Sequence, residues 1–394
     1  MQWIYLDNNA TTQPAESVVK AVNTANEQYW ANPSSVHRFG QMVRQQLELA
    51  RASVAKLIGA RPREICFTSG GTEANNLAIN GSHATVLFTS DAEHAAVRQP
   101  AEKLAKHGCR VITLELNHCG IVAPRTLQQA LEMYVQPDDT ALVSLQWANN
   151  ETGMIQPIAE LINIAHNHEH RVAFHVDATQ VVGKLPVDVH AIDADMLTLA
   201  AHKFHGPKGV GALFIKRGIR LESQILGGPQ ERELRGGTEN IPAILGMGQA
   251  AELAISFVTH AQLIEELTKL RNKLEKTICQ NCPQTVVNPC DLAETGEYKR
   301  LWNTTNLGFP KLEAEAILLM LSEKGICASA GAACSSGSLE PSPVLLAMGV
   351  QPEVAHGSVR FSLSRYTTEA EIDKACQVIP NIITKLRKVS EHVI

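Results

Sequence analysis

Apolar residues recur along this chain with two periods, and the two alternate. Short, nearly unbroken apolar runs stand at 64–68, 85–89, 111–116, 141–146, 172–176, 196–200 and 210–215. Runs of that length, bounded by polar turns, predict strands buried on both faces, as in a parallel sheet. Between them, at 15–30, 39–58, 95–106, 126–135 and 158–166, apolar positions return every three or four residues and predict helices. In the first of these, Val18, Val19 and Val22 share one face. The alternation predicts an α/β unit whose sheet is largely parallel, with helices on both sides.

The ends of the chain differ. A short strand at 3–6 runs into the turn-rich Asp7-Asn8-Asn9. From 241 to 279 the helical period is almost uninterrupted, which predicts a long bridge into a second unit. There, 285–288, 303–308 and 359–363 predict strands, and 312–324 and 369–388 predict helices. At 394 residues the chain is too long for a single hydrophobic core, so two domains are expected.

Composition narrows the classes. With 44% hydrophobic and 19% charged residues the chain is an ordinary globular one. A formal net charge of −5 offers no electrostatic ground for binding nucleic acid or an anionic membrane. The first twelve residues, MQWIYLDNNATT, hold neither a basic nor an apolar leader segment, and no run is expected to reach the length of a membrane span. Nine cysteines, an odd number scattered over the chain, do not form a disulfide framework, so a reducing cytoplasm is the expected setting.

Candidate chemistry gathers just beyond the predicted strands: His94, Asn149-Asn150-Glu151, Asp177 and Lys203. In open α/β sheets ligands bind past the carboxyl ends of the strands. An acid at one strand end and a lysine at a nearby one suit pyridoxal phosphate, which takes a lysine for its Schiff base and an acid at its pyridinium nitrogen. Taken singly, Asp177 is equally a turn cap and Lys203 a surface charge. Ser69-Gly70-Gly71-Thr72-Glu73 follows a strand and opens a helix, so it offers backbone N–H groups to an anion; a plain strand-to-helix turn has the same look. No GK[ST] follows it. Residues 327–338, CASAGAACSSGS, bury little apolar surface and predict a mobile loop. Its Cys334 is either a nucleophile that swings into a pocket or an incidental turn residue. The pair Cys279 and Cys282 has no second pair beside it, and His166, His168 and His170 suit a solvated helix end better than a metal site.

In order along the chain, YLDNNATT (5–12), NPSSVHRFG (32–40), FTSGGTEANNLAI (67–79), EHAAV (93–97), WANNETG (147–153) and HVDATQVVGKLPVD (175–188) resemble NifS/IscS-type cysteine desulfurases. So do AHKFHGPKGVGAL (201–213), GGPQERELRGGTEN (227–240), ACSSGSLEPSPVLLAMG (333–349) and HGSVRFSLSRYTTEAEID (356–373). The resemblance runs nearly end to end. It implies a fold-type I pyridoxal phosphate enzyme of the class V aminotransferases, with a mostly parallel seven-stranded sheet flanked by helices and a smaller α+β domain. The implied large domain is 14–255; the small one joins 1–13 to 256–394 and carries the cysteine loop.

The implied reaction takes sulfur from L-cysteine, leaves L-alanine and stores a persulfide on Cys334. The sulfur then passes to an acceptor protein such as an iron–sulfur scaffold. Lys203 would hold pyridoxal 5'-phosphate covalently, Asp177 would pair with its ring nitrogen, and His94 would stack on the ring. Asn150 and Gln180 would reach the ring oxygen substituent. Gly71, Thr72 and His202 would hold the phosphate, with Thr238 reaching in from the second subunit of a homodimer. Arg360, with Asn150, would bind the substrate carboxylate. Ala200 stands in the phosphate cup where relatives commonly carry Ser; a lost hydrogen bond to a charged group costs roughly 1.5–3 kcal/mol. The cysteine loop also has fewer hydroxyls than is common in the family. A selenocysteine lyase is the nearest alternative, and a non-catalytic sulfur-transfer or scaffold protein the more distant one.

Overall fold

The computed structural model describes residues 3–289, 299–330 and 340–391. Its first half contains β1 (Ile4–Tyr5), α1 (Glu16–Gln28), α2 (Arg38–Leu57), β2 (Ile65–Thr68), α3 (Gly71–Gly81), β3 (Val86–Thr89) and α4 (Ala95–Lys106). Next come β4 (Arg110–Thr113), α5 (Pro124–Tyr134), β5 (Ala141–Gln146), α6 (Ile158–His166), β6 (Val172–Asp177), β7 (Met196–Ala200) and β8 (Gly211–Ile215).

Strands β2 to β8 form one seven-stranded sheet in the order β2-β8-β7-β6-β5-β3-β4. All run parallel except β8, which is antiparallel to both neighbours. The register sets Gln146 of β5 and Thr198 of β7 on either side of Asp177 in β6. Strand β4 is an edge, half-exposed, and ends at Thr113 rather than 116. Its only neighbour, β3, supplies pairing partners as far as Thr89, opposite Thr113.

The long helical period at 241–279 is two helices, α7 (Ile241–Val258) and α8 (Ala261–Asn281). Side chains satisfy both ends of the break, which hydrophobic periodicity does not register. Thr259 Oγ1 donates to Ile255 O at 3.2 Å and Ser256 O at 3.0 Å, and His260 Nδ1 accepts from Leu263 N at 3.3 Å. By length and composition α7 is apolar enough to cross a membrane, with mean hydropathy 1.5, contrary to the expectation that no run reaches that length. That apolarity is accounted for by burial, since Ile244, Met247, Ala250 and Ala254 sit in the core with Val18, Val43, Leu47 and Val54 of α1 and α2.

A second core lies beyond α7. Strands β9 (Val286–Asn288), β10 (Thr304–Gly308) and β12 (Ser358–Ser362) form an antiparallel sheet, and β11 (Ile326–Cys327) pairs with β1 in parallel. Leu6 packs there with Leu274, Leu307, Phe361 and Ile379. The start of the chain thus adds to the core made by its end, while residues just after it enter the first core.

The glycine-bearing segment after β8 is fixed to the first core by a buried fork. Arg51 Nη1 and Nη2 donate to the two carboxylate oxygens of Glu231 at 2.7 and 2.8 Å, and Phe67 N donates to Glu231 Oε2 at 2.8 Å. Glu231, Arg232 and Glu233 are all left-handed, with φ of 45°, 59° and 67°. Such backbone costs roughly 1–2 kcal/mol per non-glycine residue and persists only where other contacts hold it.

Candidate active site

A cavity of about 660 Å³ opens at the carboxyl ends of the parallel strands. It is bordered by Gly71, Thr72, His94, Asn150, Asp177, Gln180, Ala200, His202, Lys203 and Arg360. Ten of the residues singled out in the sequence therefore meet at one place. Thr238 is exposed and does not border this cavity, and Cys334 lies outside the described residues.

Each side chain is delivered by the end of an element. Asp177 is the last residue of β6; its Oδ2 accepts from Asn75 Nδ2 at 2.8 Å and its Oδ1 from Thr179 N at 3.0 Å. Two residues earlier His175 spans Ser144 Oγ (2.8 Å) and Thr198 Oγ1 (3.0 Å), and complete burial pushes its pKa down to about 4. His94 caps α4, its Nδ1 accepting from Ala96 N at 3.0 Å. Burial lowers its pKa, with Lys203 and Arg98 adding to the fall and Asp177 opposing it. The neutral ring so favoured carries its proton on Nε2.

Lys203 sits on the tight turn Ala201–Lys203 that follows β7. Its Nζ donates to the main-chain oxygens of Asn9 and Ala10 at 2.6 and 2.8 Å. Asn9 is 1% exposed and is one of the residues that sequence reasoning missed. Its carbonyl also accepts from Gln180 Nε2 at 3.0 Å, and its Oδ1 accepts from Lys184 Nζ and Asn303 Nδ2, each at 3.0 Å. Its Nδ2 donates to Thr304 Oγ1 at 2.9 Å and to Asn150 O at 3.1 Å. Only its place inside the YLDNNATT stretch distinguishes it in the sequence; as a residue type it looked like a turn.

At the N-terminus of α3, Gly71 leaves room where a Cβ would stand 3.2 Å from Thr179 Oγ1 and 3.7 Å from Ala200 Cβ. The Thr179 hydroxyl is buried and has no hydrogen-bond partner among the described residues. An unused hydroxyl beside the amides of a helix N-terminus is a cup for an anion. His202 borders the cavity nearby, with Nδ1 3.1 Å from Thr11 Oγ1; burial and then Lys203 push its pKa down to about 4. Arg360, from β12, also borders the cavity and donates to Asp7 Oδ1 at 2.7 Å and to Asn150 O at 3.0 Å. Buried Glu151 accepts from Ser342 Oγ at 2.6 Å, and Ser342 caps the helix Pro343–Ala347 whose residues close that side.

Residues 4–375 match the family model of the class-V aminotransferases. The protein called cysteine desulfurase 2 in Trichormus variabilis is 46% identical over 395 residues, spanning 99% of this chain and 95% of its own. The cysteine desulfurase NifS of Azotobacter vinelandii is 44% identical over 99% of this chain and 94% of its own. Among solved structures, a NifS-like protein superposes with a TM-score of 0.88 at 33% identity, covering 98% of this chain and all of its own.

Glu93, next to His94, gives the site a pH signature. It is 1% exposed, with Oε2 accepting from Gln146 N at 2.8 Å and Oε1 from Ser90 Oγ at 3.1 Å. Burial raises its pKa from 4.5 to about 8, against the pull of the Gln146 amide and with a further push from Asp177. The folded carboxyl therefore keeps a proton that the unfolded one has lost. Its stability contribution is full below the unfolded value and declines as pH rises through about 8. Glu93→Gln keeps the shape without the ionisation. Its melting temperature should exceed the parent's by about 3 °C above pH 8, roughly the effect of 1 kcal/mol in a domain of this size, and the gap should close toward pH 5. Parallel melting curves for the two proteins across that range would contradict the assignment.

Proposed function

The chain belongs to the class-V aminotransferase family, and we propose that within it the protein works as a pyridoxal-phosphate-dependent cysteine desulfurase. L-Cysteine is the substrate, L-alanine the organic product, and the sulfur stays as a persulfide on Cys334. The observation that carries this reading is the convergence of Lys203, Asp177 and His94 on one cavity beside an anion cup. The cofactor fits these residues: the unpartnered Thr179 hydroxyl and the open face of Gly71 suit its phosphate, and Asp177 suits its ring nitrogen. Once bound, pyridoxal phosphate supplies the electron sink for breaking bonds at the substrate Cα and Cβ.

The chain's own residues divide the remaining work. Lys203 is the amine for covalent attachment and afterwards the group that moves the Cα proton, and the Asn9 and Ala10 carbonyls aim it. Asp177, itself held by Asn75 and the Thr179 amide, keeps a proton on the ring nitrogen. His94, neutral through burial, would stack on the ring of the bound cofactor. Gly71, Thr72, Thr179 and His202 take the phosphate around Ala200. Asn150 and Gln180, which border the cavity, would reach the ring oxygen substituent. Arg360 takes the substrate carboxylate beside Asp7. The Cys334 thiolate attacks the substrate sulfur, so that an S–S bond forms as the C–S bond breaks.

The working unit in this reading is a homodimer. Support comes from the segment after β8, where Leu226 is 84% exposed, Ile225 is 39% exposed, and Thr238 does not border its own cavity. Two copies would each give Thr238 to the other's phosphate. A sulfur-acceptor protein, such as an iron–sulfur scaffold, would then take the persulfide sulfur. Among the described residues no two cysteines form a disulfide with each other, which suits a reducing cytoplasm.

Two sets of variants test the reading. Purified with pyridoxal phosphate, the protein should show a visible absorption band and form alanine from L-cysteine. Lys203→Ala should lose both, whereas Cys334→Ala should keep the band and lose sulfur release. Normal desulfuration by either variant would contradict the assignment, and normal release by Cys334→Ala would favour a lyase.

Thr179→Val removes the free hydroxyl of the cup and should speed cofactor loss on dialysis by about tenfold, the size of one hydrogen bond to a charged group. Ala200→Ser should slow the loss by less than that, because Thr179 already supplies a hydroxyl there. Equal retention by Thr179→Val and the parent would remove Thr179 from the cup.

A further inference from the structure

Just outside the cavity lies a second lysine, bonded to two residues that border it, for which the reaction above has no use. Lys184 follows the tight turn at Gly183, where φ is +77° and a Cβ would come within 2.4 Å of Phe204 Cβ. The side chain is 4% exposed, and Trp302 Nε1 pins its carbonyl at 3.0 Å from the other core. Its Nζ donates to two acceptors, Asn9 Oδ1 at 3.0 Å and Gln180 Oε1 at 2.6 Å. Gln180 Nε2 and Lys203 Nζ then share the Asn9 main-chain oxygen, at 3.0 and 2.6 Å. One chain of hydrogen bonds therefore runs from Lys184, through two amides, to the amine of Lys203.

We propose that Lys184 is a positioning residue for Lys203, fixing which way the Gln180 and Asn9 side-chain amides face and so fixing the carbonyl that aims the Lys203 amine. An amide has a donor end and an acceptor end of nearly the same shape, so packing alone does not choose between them. With Lys184 in place the choice is forced. If Gln180 turned over, its oxygen would face the Asn9 carbonyl oxygen and its NH2 would face the Lys184 amine. Asn9 is held likewise, since Lys184 and Asn303 both donate to Oδ1 while Nδ2 serves Thr304 and Asn150.

An apolar side chain would fill the same space without the cost of burying an amine. What the amine adds is two directed donors, and a neutral amine still has two N–H groups, so both bonds persist in either protonation state. Burial first, then the charges of Lys203 and Arg360, hold the Lys184 pKa well below the ordinary lysine range. The titratable groups that face it are Lys203, Arg360, His202 and His205, and its charge disfavours the imidazolium form of both histidines.

The inference rests on the desulfurase reading, and the test separates the two. Apoprotein of the parent, Lys184→Met and Lys184→Gln is mixed with pyridoxal phosphate, and growth of the visible band and its pH midpoint are followed. With circular dichroism matching the parent, Lys184→Met should form the band about tenfold more slowly. Its midpoint should fall by about half a unit, since the carbonyl acceptors that favour the protonated amine are no longer aimed at it. Lys184→Gln, which keeps an amide donor on a shorter arm, should fall between. A stabilising role alone would lower the melting temperature and leave rate and midpoint at the parent's values; that result overturns the inference. If Lys184→Met does not fold, Lys184→Gln decides on the same two readouts: parent values overturn the proposal, and a slower, downshifted band upholds it. A parent that forms no band overturns the cofactor reading and this inference together.

Discussion

The main-chain oxygen of Asn9 accepts from Lys203 Nζ and Gln180 Nε2, while its side chain accepts from Lys184 and Asn303 and donates to Thr304 and Asn150. These partners come from the turns beyond β5, β6 and β7 of the large sheet and from the start of β10 in the second core. The segment carrying Asn9 is fixed on either side. Before it, β1 pairs with β11 and Arg360 reaches Asp7; after it, Thr12 exchanges hydrogen bonds with His202 and His205. A buried polar group left without its partner costs about 1–3 kcal/mol. The N-terminal segment and the cavity therefore form together: without the segment, the Lys203 amine has no carbonyls to aim it.

Electrostatics follows from that closure. Lys203, His202 and Arg360 border the cavity with Lys184 and His205 just behind it, and burial drives the histidines toward neutrality, both to about 4. Burial also drives Glu93 and Glu151 toward their protonated forms. The cavity thus keeps few mobile charges of its own and offers directed donors instead. Such a setting suits a ligand bringing a phosphate and a carboxylate, whose charges gain most where water is excluded.

The sheet was legible because its inner strands are buried on both faces and so read as unbroken apolar runs; β5 and β7 were placed to the residue, and β6 runs one residue further, to Asp177. Asp177, His94 and Lys203 were legible for a related reason, since each closes such a run or opens the element after it. Asn9, Lys184, Thr179 and Glu93 were not. A polar residue in a turn looks the same whether it meets water or a partner, and the partners of Asn9 stand 171 and 194 residues away. The break between α7 and α8 escaped because capping by Thr259 and His260 leaves the helical period intact. The roles of Cys334 and Thr238 come from the family resemblance; the cavity itself does not assign them.

Everything above depends on Lys203, and not its buried neighbour Lys184, being the amine that reacts. The direct measurement is borohydride reduction of the protein loaded with pyridoxal phosphate, followed by digestion and mass mapping. The account predicts the reduced cofactor on the peptide carrying Lys203, with Lys184 unmodified. Cofactor fixed on Lys184, or on no lysine at all, would contradict it.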